Sequence, residues 1–311
     1  MPVPSAMRST AEKAINMILF PPAKINLGLR ILRKRSDGFH DLDTAFYAIG
    51  LKDVLEILPS PHLTSPLGGG KSELTFSAPL PGGETPDLIS SAPLPGGEGS
   101  GVGLRLTGIV PPGEPEDNLC LRAWNLLKAD FPQLPTAYMH LHKNIPNGAG
   151  LGGGSADGAY ALRGLNEKFS LGLSREQLIG YAAKLGSDCP FFIYDQPCIG
   201  SGRGEVLEPI DLSLKSYHIV LVNPGIHIST KEAFAGITPN VKVKPVREII
   251  SQPIESWQGE LANDFEASVF SMYPEIARIK QQLLDAGAVY ASMSGSGSSV
   301  YGIFKQEPGL L

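Results

Sequence analysis

The chain has 311 residues, 42% of them apolar and 18% charged, with a net charge of −5. That length favours two domains, since a single core seldom grows so far. The acidic balance argues against nonspecific binding to nucleic acid or to an anionic membrane, so any anionic ligand must be held by local geometry.

Residues 1–16 show no periodicity and read as a disordered extension, with translation expected to start at Met17. From Lys24, "KINLGLRIL" alternates, with Lys24, Asn26, Gly28 and Arg30 on one face and Ile25, Leu27, Leu29 and Ile31 on the other, which predicts a half-buried strand. Side chains two apart share a face, so Lys24 and Asn26 can act on one ligand. Residues 59–103 are rich in Gly, Pro and Ser and contain "SAPLPGGE" at both 77–84 and 91–98. This segment is expected to be a surface insertion between the strands "DVLEIL" and "LRLTGIV", with a short strand at "ELTF". A helix follows at "NLCLRAWNLLKADF", with Asp117 as its expected cap, and then a strand at "AYMHLHK". His140 and His142 share one face of that strand, and with no third ligand in view they read as solvated rather than metal-binding.

The stretch "NGAGLGGGSADGAY" puts six glycines into residues 147–160, with a helix expected to begin near Ser155. Bare backbone N–H groups at such a turn, together with the free donors and positive dipole end of a helix, make an anion cradle. The lysine-bearing P-loop pattern is absent, and the G-x-G-x-x-G spacing at Gly148, Gly150 and Gly153 is a weak dinucleotide signal. Further on, "SREQLIGYAAKLG" predicts a helix with a Ser174–Gln177 capping box, an apolar stripe of Leu178, Ala182 and Leu185, and Gly186 as its stop. Asp188 comes two residues later. "SYHIVLVNP" reads as a buried strand, "TKEAFAGI" and "PEIARIKQQLLDAG" as helices, and "SMSGSGSSVYGIF" as strands around a glycine-rich turn. Helices and strands mixed in this way give an α/β (α+β) class. The odd set of Cys120, Cys189 and Cys198 lacks metal spacing and points to reduced thiols. With no secretion signal and no apolar run long enough to span a bilayer, the expected location is cytoplasmic.

Three of these segments, in this order, resemble the three signatures of the GHMP kinases, the small-molecule kinases for galactose, homoserine, mevalonate and phosphomevalonate: "PAKINLGL", "PNGAGLGGGSADGA" and "SMSGSGSSVYGIF". The resemblance runs from about Phe20 to Phe304, apart from the insertion. "RSDGFHDLDTAFYAIGLKD" (35–53), "GSDCPFF" (186–192) and "NPGIHISTKEAF" (223–234) are most similar to the branch acting on 4-diphosphocytidyl-2-C-methyl-D-erythritol.

The resemblance implies a two-domain GHMP kinase fold, with a ribosomal protein S5 domain 2-like N-terminal ATP-binding domain over 17–210 and an α/β sandwich C-terminal domain over 211–311. The site would lie in the cleft between them. It implies transfer of the ATP γ-phosphate, with Mg²⁺, to the 2-hydroxyl of that cytidyl alcohol, with phosphate oxygens holding the metal and Ser155 as the one protein ligand suggested for it. Phosphoryl transfer needs an aligned nucleophile and neutralised charge more than covalent help. Asp188 would accept the hydroxyl proton, and Lys24 would hold the reacting groups and shield the phosphate. ATP would sit against Pro146, Asn147, Gly148, Ala149, Gly150, Leu151, Gly152, Gly153, Gly154, Ser155 and Ala156. Asn26 would bind the hydroxylated chain, Phe39 and Phe234 would sandwich the cytosine, His40 would read its edge, and Gly295, Ser296 and Gly297 would line the site beside the phosphates. Members of the branch often carry tyrosine where Phe39 stands, so a polar contact is in question there. The chain would act as a monomer or homodimer on this small molecule, without nucleic acid or membrane. Two rivals stand beside this reading: another GHMP kinase of the homoserine or mevalonate type, and a noncatalytic nucleotide- or RNA-binding protein.

Overall fold

The alternating apolar run after Asp53 forms strand β4 (Val54–Pro59), which pairs antiparallel with β6 (Ala137–Lys143). β1 (Met17–Leu19) and β5 (Val102–Gly108) complete a sheet of order β1-β4-β6-β5, in which only β5 runs parallel to its neighbour. These strands come from a computed structural model that describes residues 17–59, 101–109 and 113–309. The expected N-terminal extension, the octapeptide repeats and the "ELTF" strand lie outside the described residues, while Pro59 and residues 102–103 belong to strands rather than to the insertion.

Helices α1 (Leu119–Asp130) and α2 (Gly153–Lys168) cover this sheet, and α3 (Arg175–Leu185) and α4 (Cys189–Tyr194) pack against them. Leu55, Ile57, Met139 and Leu141 from the strands share one core with Trp124, Leu127, Leu162 and Leu165 from the helices. Each such large side chain contributes roughly 1.5–3 kcal/mol by leaving water. The cap of α1 is Asn118 rather than Asp117: its side-chain oxygen accepts the Cys120 N–H at 2.9 Å, and Asp117 ends a separate single turn. The capping box of α3 forms as expected, with Leu178, Ala182 and Leu185 buried and the N–H of Gly186 closing on Ala182.

A second sheet, order β2-β3-β7-β8, is antiparallel throughout: β2 (Pro22–Lys34), β3 (His40–Lys52), β7 (Cys198–Ser201) and β8 (Val206–Pro209). The expectation for β2 fails in two respects. From Pro22 to Leu29 every residue is buried, so the face bearing Lys24 and Asn26 is enclosed by the rest of the protein rather than laid on the surface. The alternation also breaks at Gly28, which takes φ +66° while the register to β3 slips between Leu27 and Leu29. This bulge turns Leu29 to the pocket side with Lys24 and Asn26 instead of away from it. A side chain at Gly28 would also strike Leu261, 2.5 Å from where its Cβ would stand.

The third sheet has order β10-β11-β9, from β9 (His218–Val222), β10 (Tyr290–Met293) and β11 (Val300–Phe304). β9 is one of its two edge strands and only half covered, not the buried strand expected from its apolar run. Around it lie α5 (Thr230–Ala235), α6 (Val246–Ile250), α7 (Phe265–Met272) and α8 (Pro274–Asp285), the last with Pro274 in its first turn as expected. β2 joins this region to the rest: Leu29 N–H donates to Ala262 and Leu29 C=O accepts from Asp264, while the Tyr301 hydroxyl donates to the Asn26 carbonyl at 2.7 Å. No helix among the described residues is long and apolar enough to cross a membrane.

Candidate active site

Strand β2 carries Lys24 and Asn26 into a cavity of about 540 Å³ that is also lined by Thr44, Gly150, Gly152, Asp188, Gly295 and Ser296. The Lys24 ammonium stands 3.5 Å from the Asp188 carboxylate, donates to Asn26 Oδ1 at 2.6 Å and reaches the Gly150 carbonyl at 3.1 Å. Lys24 is 4% exposed, and burial pulls its ammonium below the usual lysine value, with Asp188 acting in the opposite direction. Asp188 precedes α4 and makes no capping hydrogen bond from its side chain, which is 34% exposed. Two residues 164 positions apart in sequence therefore share one point of the cavity.

The glycine-rich loop is locked by the chain's last hairpin. Gly150 takes φ +76°, and a Cβ there would lie 2.0 Å from the Ser294 carbonyl oxygen, so only glycine fits. The Ser294 hydroxyl donates to the Gly150 carbonyl at 2.9 Å and accepts the Asn26 N–H at 3.3 Å. Lys24 N–H donates to the Leu151 carbonyl at 2.9 Å. Helix α2 begins at Gly153, two residues before the expected start, with Gly152 as its cap. Its first-turn amides, those of Gly153, Gly154 and Ser155, are the donors that a helix leaves free.

The residues assigned to ATP do not all face the cavity. Gly150 and Gly152 line it, Ala149, Leu151, Gly153 and Ala156 are buried in the protein, Pro146 is half-buried, and Asn147, Gly148 and Gly154 are exposed. The Ser155 hydroxyl lies beside the Cys189 thiol and favours its ionised form, against the larger effect of burial. Of the substrate residues, Asn26, Phe39, His40, Phe234, Gly295 and Ser296 come together at the cavity, whereas Gly297 packs toward Met293 and Ile228 and is not part of its lining. The aromatic pair is not an open slot: His40 stacks on Phe234 with ring centres 4.6 Å apart, and Arg203 lies over Phe39, which is 54% exposed. His140 and His142 both contact the Thr107 hydroxyl at 2.9 Å, and no group of three or more His, Cys, Asp or Glu among the described residues could hold a metal.

Sequence profiles of the GHMP kinases N terminal domain and the GHMP kinases C terminal domain match residues 118–196 and 247–309. A relative from Bacteroides fragilis named 4-diphosphocytidyl-2-C-methyl-D-erythritol kinase is 45% identical over 94% of this chain and 93% of its own length. The chain belongs to the GHMP kinases, in the family of the 4-diphosphocytidyl-2-C-methyl-D-erythritol kinases. A crystal structure of 4-(cytidine 5'-diphospho)-2C-methyl-D-erythritol kinase superposes with a TM-score of 0.67 at 27% identity, covering 92% of this chain and 90% of that one. A homoserine kinase from Cytophaga hutchinsonii superposes with 0.66 at only 14% identity, covering 94% and 86%, a likeness of fold alone. The two-domain GHMP kinase fold with mixed helices and strands is thus established.

Several residues that build this kinase's cavity were not singled out in the sequence. Thr44 accepts from Asn26 Nδ2 at 3.0 Å and donates to the Gly28 carbonyl at 2.5 Å, which fixes the Asn26 amide. Asn263 donates to the Met293 and Gly295 carbonyls at 2.7 and 2.8 Å and so shapes the last glycine loop. Arg203 and Lys231 bring positive charge to the cavity. Ser294 adjoins a motif residue and could have been found by position, but Asn263 carries no local signal, since its role depends on a partner 30 residues away.

Proposed function

We propose that this kinase transfers the γ-phosphate of ATP to the 2-hydroxyl of 4-diphosphocytidyl-2-C-methyl-D-erythritol, a step toward isoprenoid precursors by the non-mevalonate route. The observation that carries this reading is the Lys24–Asp188 pair in one cavity with Gly150 and Gly152 and with Phe39, His40 and Phe234. Asp188, uncommitted to its helix, would take the hydroxyl proton as the new oxygen–phosphorus bond forms and the bond to ADP breaks. Lys24, held by Asn26 and Gly150, would place its charge beside the transferring phosphate. Arg203 and Lys231 suit a substrate bearing a diphosphate. Mg²⁺ would come with ATP, with phosphate oxygens as most of its ligands, and would neutralise charge on the transferring group.

The aromatic residues and His40 are the reason for preferring a cytidyl alcohol: homoserine or mevalonate offers no ring to stack on Phe39 or Phe234. Opening the slot requires the His40 and Arg203 side chains to move from Phe234 and Phe39. Domains of 17–210 and 211–311, a cytoplasmic location and action as a monomer or homodimer without nucleic acid belong to the same proposal. The test is ADP formation by purified protein with ATP, Mg²⁺ and a panel of alcohols. Turnover is expected only with the cytidyl-methylerythritol compound; turnover of homoserine or mevalonate in its place would transfer the assignment to those kinases.

A further inference from the structure

Beneath the glycine-rich loop lies a group of charges outside the reaction centre. Asp53, between β3 and β4, is fully buried, and Lys143 at the end of β6 and Asp157 in α2 are 4% and 3% exposed. The Lys143 ammonium donates to Asp157 Oδ2 at 2.6 Å and also to Asp53 Oδ2. Asp53 Oδ1 accepts the main-chain N–H groups of Asn144 and Ile145, at 2.6 and 2.8 Å. One ammonium therefore ties together the β3–β4 turn, the chain entering the loop and the helix leaving it. It stands directly behind the loop, 3.3 Å from where a Cβ on Gly153 would be.

The two carboxyl groups differ in support. Both Asp53 oxygens are bonded, whereas Asp157 Oδ1 is buried without a hydrogen-bond partner. Burial pushes the Asp157 carboxyl up to about 7, with Lys143 opposing the change and Asp53 adding to it. Burial likewise works against the charge of Lys143, but the two carboxylates outweigh it and raise its value. The remaining titratable neighbour is the Cys120 thiol of α1, which burial keeps neutral. The groups facing Asp157 are thus Lys143 from β6, Asp53 from the β3–β4 turn and Cys120 from α1.

We propose that Lys143 is a positioning residue for bound ATP, and that Asp157 is the counter-ion whose protonation sets how firmly the loop is held. The inference rests on the reading of residues 146–156 as the ATP site. With Asp157 neutral, Lys143 is committed to Asp53, which fixes Asn144 and Ile145 at the loop entrance. With Asp157 ionised, the group carries a net negative charge near the start of α2, which opposes the positive end of the helix where phosphates would bind.

The test is ATP binding by calorimetry with Mg²⁺ and without the alcohol, so that failure of the alcohol assignment leaves the result readable. From pH 6 to 8.5 the dissociation constant of the wild-type protein is expected to rise about two- to fivefold more than that of Asp157→Asn, which mimics the neutral carboxyl. Superimposable profiles would overturn the proposal, and no ATP binding by wild type would overturn the ATP reading with it. A second variant, Lys143→Met with Asp157→Asn, removes the ammonium without leaving two carboxylates facing each other. It is expected to raise the KM for ATP about tenfold, with kcat and the KM for the alcohol little changed. An unchanged KM for ATP in that folded variant is also an overturning result, and the isosteric Asp157→Asn gives the decisive comparison whatever the fate of the double variant.

Discussion

In the proposed reaction Asp188 and Lys24 would contribute through different physics. Lys24 is fixed by three oxygens from Asn26, Gly150 and Asp188, so in the proposed reaction its ammonium would act as a preset charge rather than follow a moving one. Asp188 is the more exposed partner, and in the proposed reaction it would exchange its contact with Lys24 for the substrate hydroxyl. Asp188→Asn keeps the shape and removes the carboxylate proposed to accept the hydroxyl proton. It is expected to lower turnover of the cytidyl alcohol by about 10²- to 10⁴-fold with the affinity for ATP retained, as steady-state rates beside equilibrium nucleotide binding would reveal. An equal loss of ATP affinity would instead assign Asp188 to the nucleotide.

At the scale of elements, the glycine-rich loop and the last hairpin form one unit. Gly150→Ala forces a Cβ toward the Ser294 carbonyl in a left-handed backbone region. The backbone penalty alone is about 1–3 kcal/mol, and the collision adds to it. Thermal or denaturant unfolding is expected to show that loss together with much weaker ATP binding, and a wild-type-like stability would mean that the two loops separate freely. Much of this was legible in the sequence, because glycine-rich turns, capping boxes and period-two strands are local patterns: α3, β6 and the helix bearing Phe234 stand where the pattern puts them. The face of Leu29 was misjudged because a strand glycine can be either filler or bulge, and only the register to β3 decides. Asn263 and the Lys143 group were missed because long-range partners leave no periodic trace. Phe39, His40 and Phe234 share the cavity, but their conformation was not legible, since stacking of His40 on Phe234 depends on two distant segments.

For the whole molecule, Asp157 links fold stability to pH. Between the ordinary aspartate value of 3.8 and about 7 the folded chain holds a proton that the unfolded chain releases. Its contribution to stability is therefore complete below pH 3.8 and is lost as pH rises through about 7. Denaturant unfolding from pH 5 to 8 is expected to show a falling component in wild type that Asp157→Asn lacks; identical slopes would place the proton elsewhere. The topology also makes a prediction about residues 62–101. Pro59 at the end of β4 and Val102 at the start of β5 both pair with Ala137, on opposite sides of β6. Two inter-strand spacings, about 10 Å, separate them, which a few residues can bridge. Replacing 62–101 by a short Gly-Ser linker is expected to leave ADP formation largely intact, and a folded but inactive product would give the segment a part in catalysis.

The prop that Ser294 supplies to Gly150 joins points 144 residues apart, with the prop near the carboxyl end. During synthesis, the glycine-rich loop leaves the ribosome long before the hydroxyl that steadies it. A chain cut short before β10 would keep Lys24 and Asp188 but lack the hydroxyl that braces Gly150, whose carbonyl Lys24 reaches at 3.1 Å.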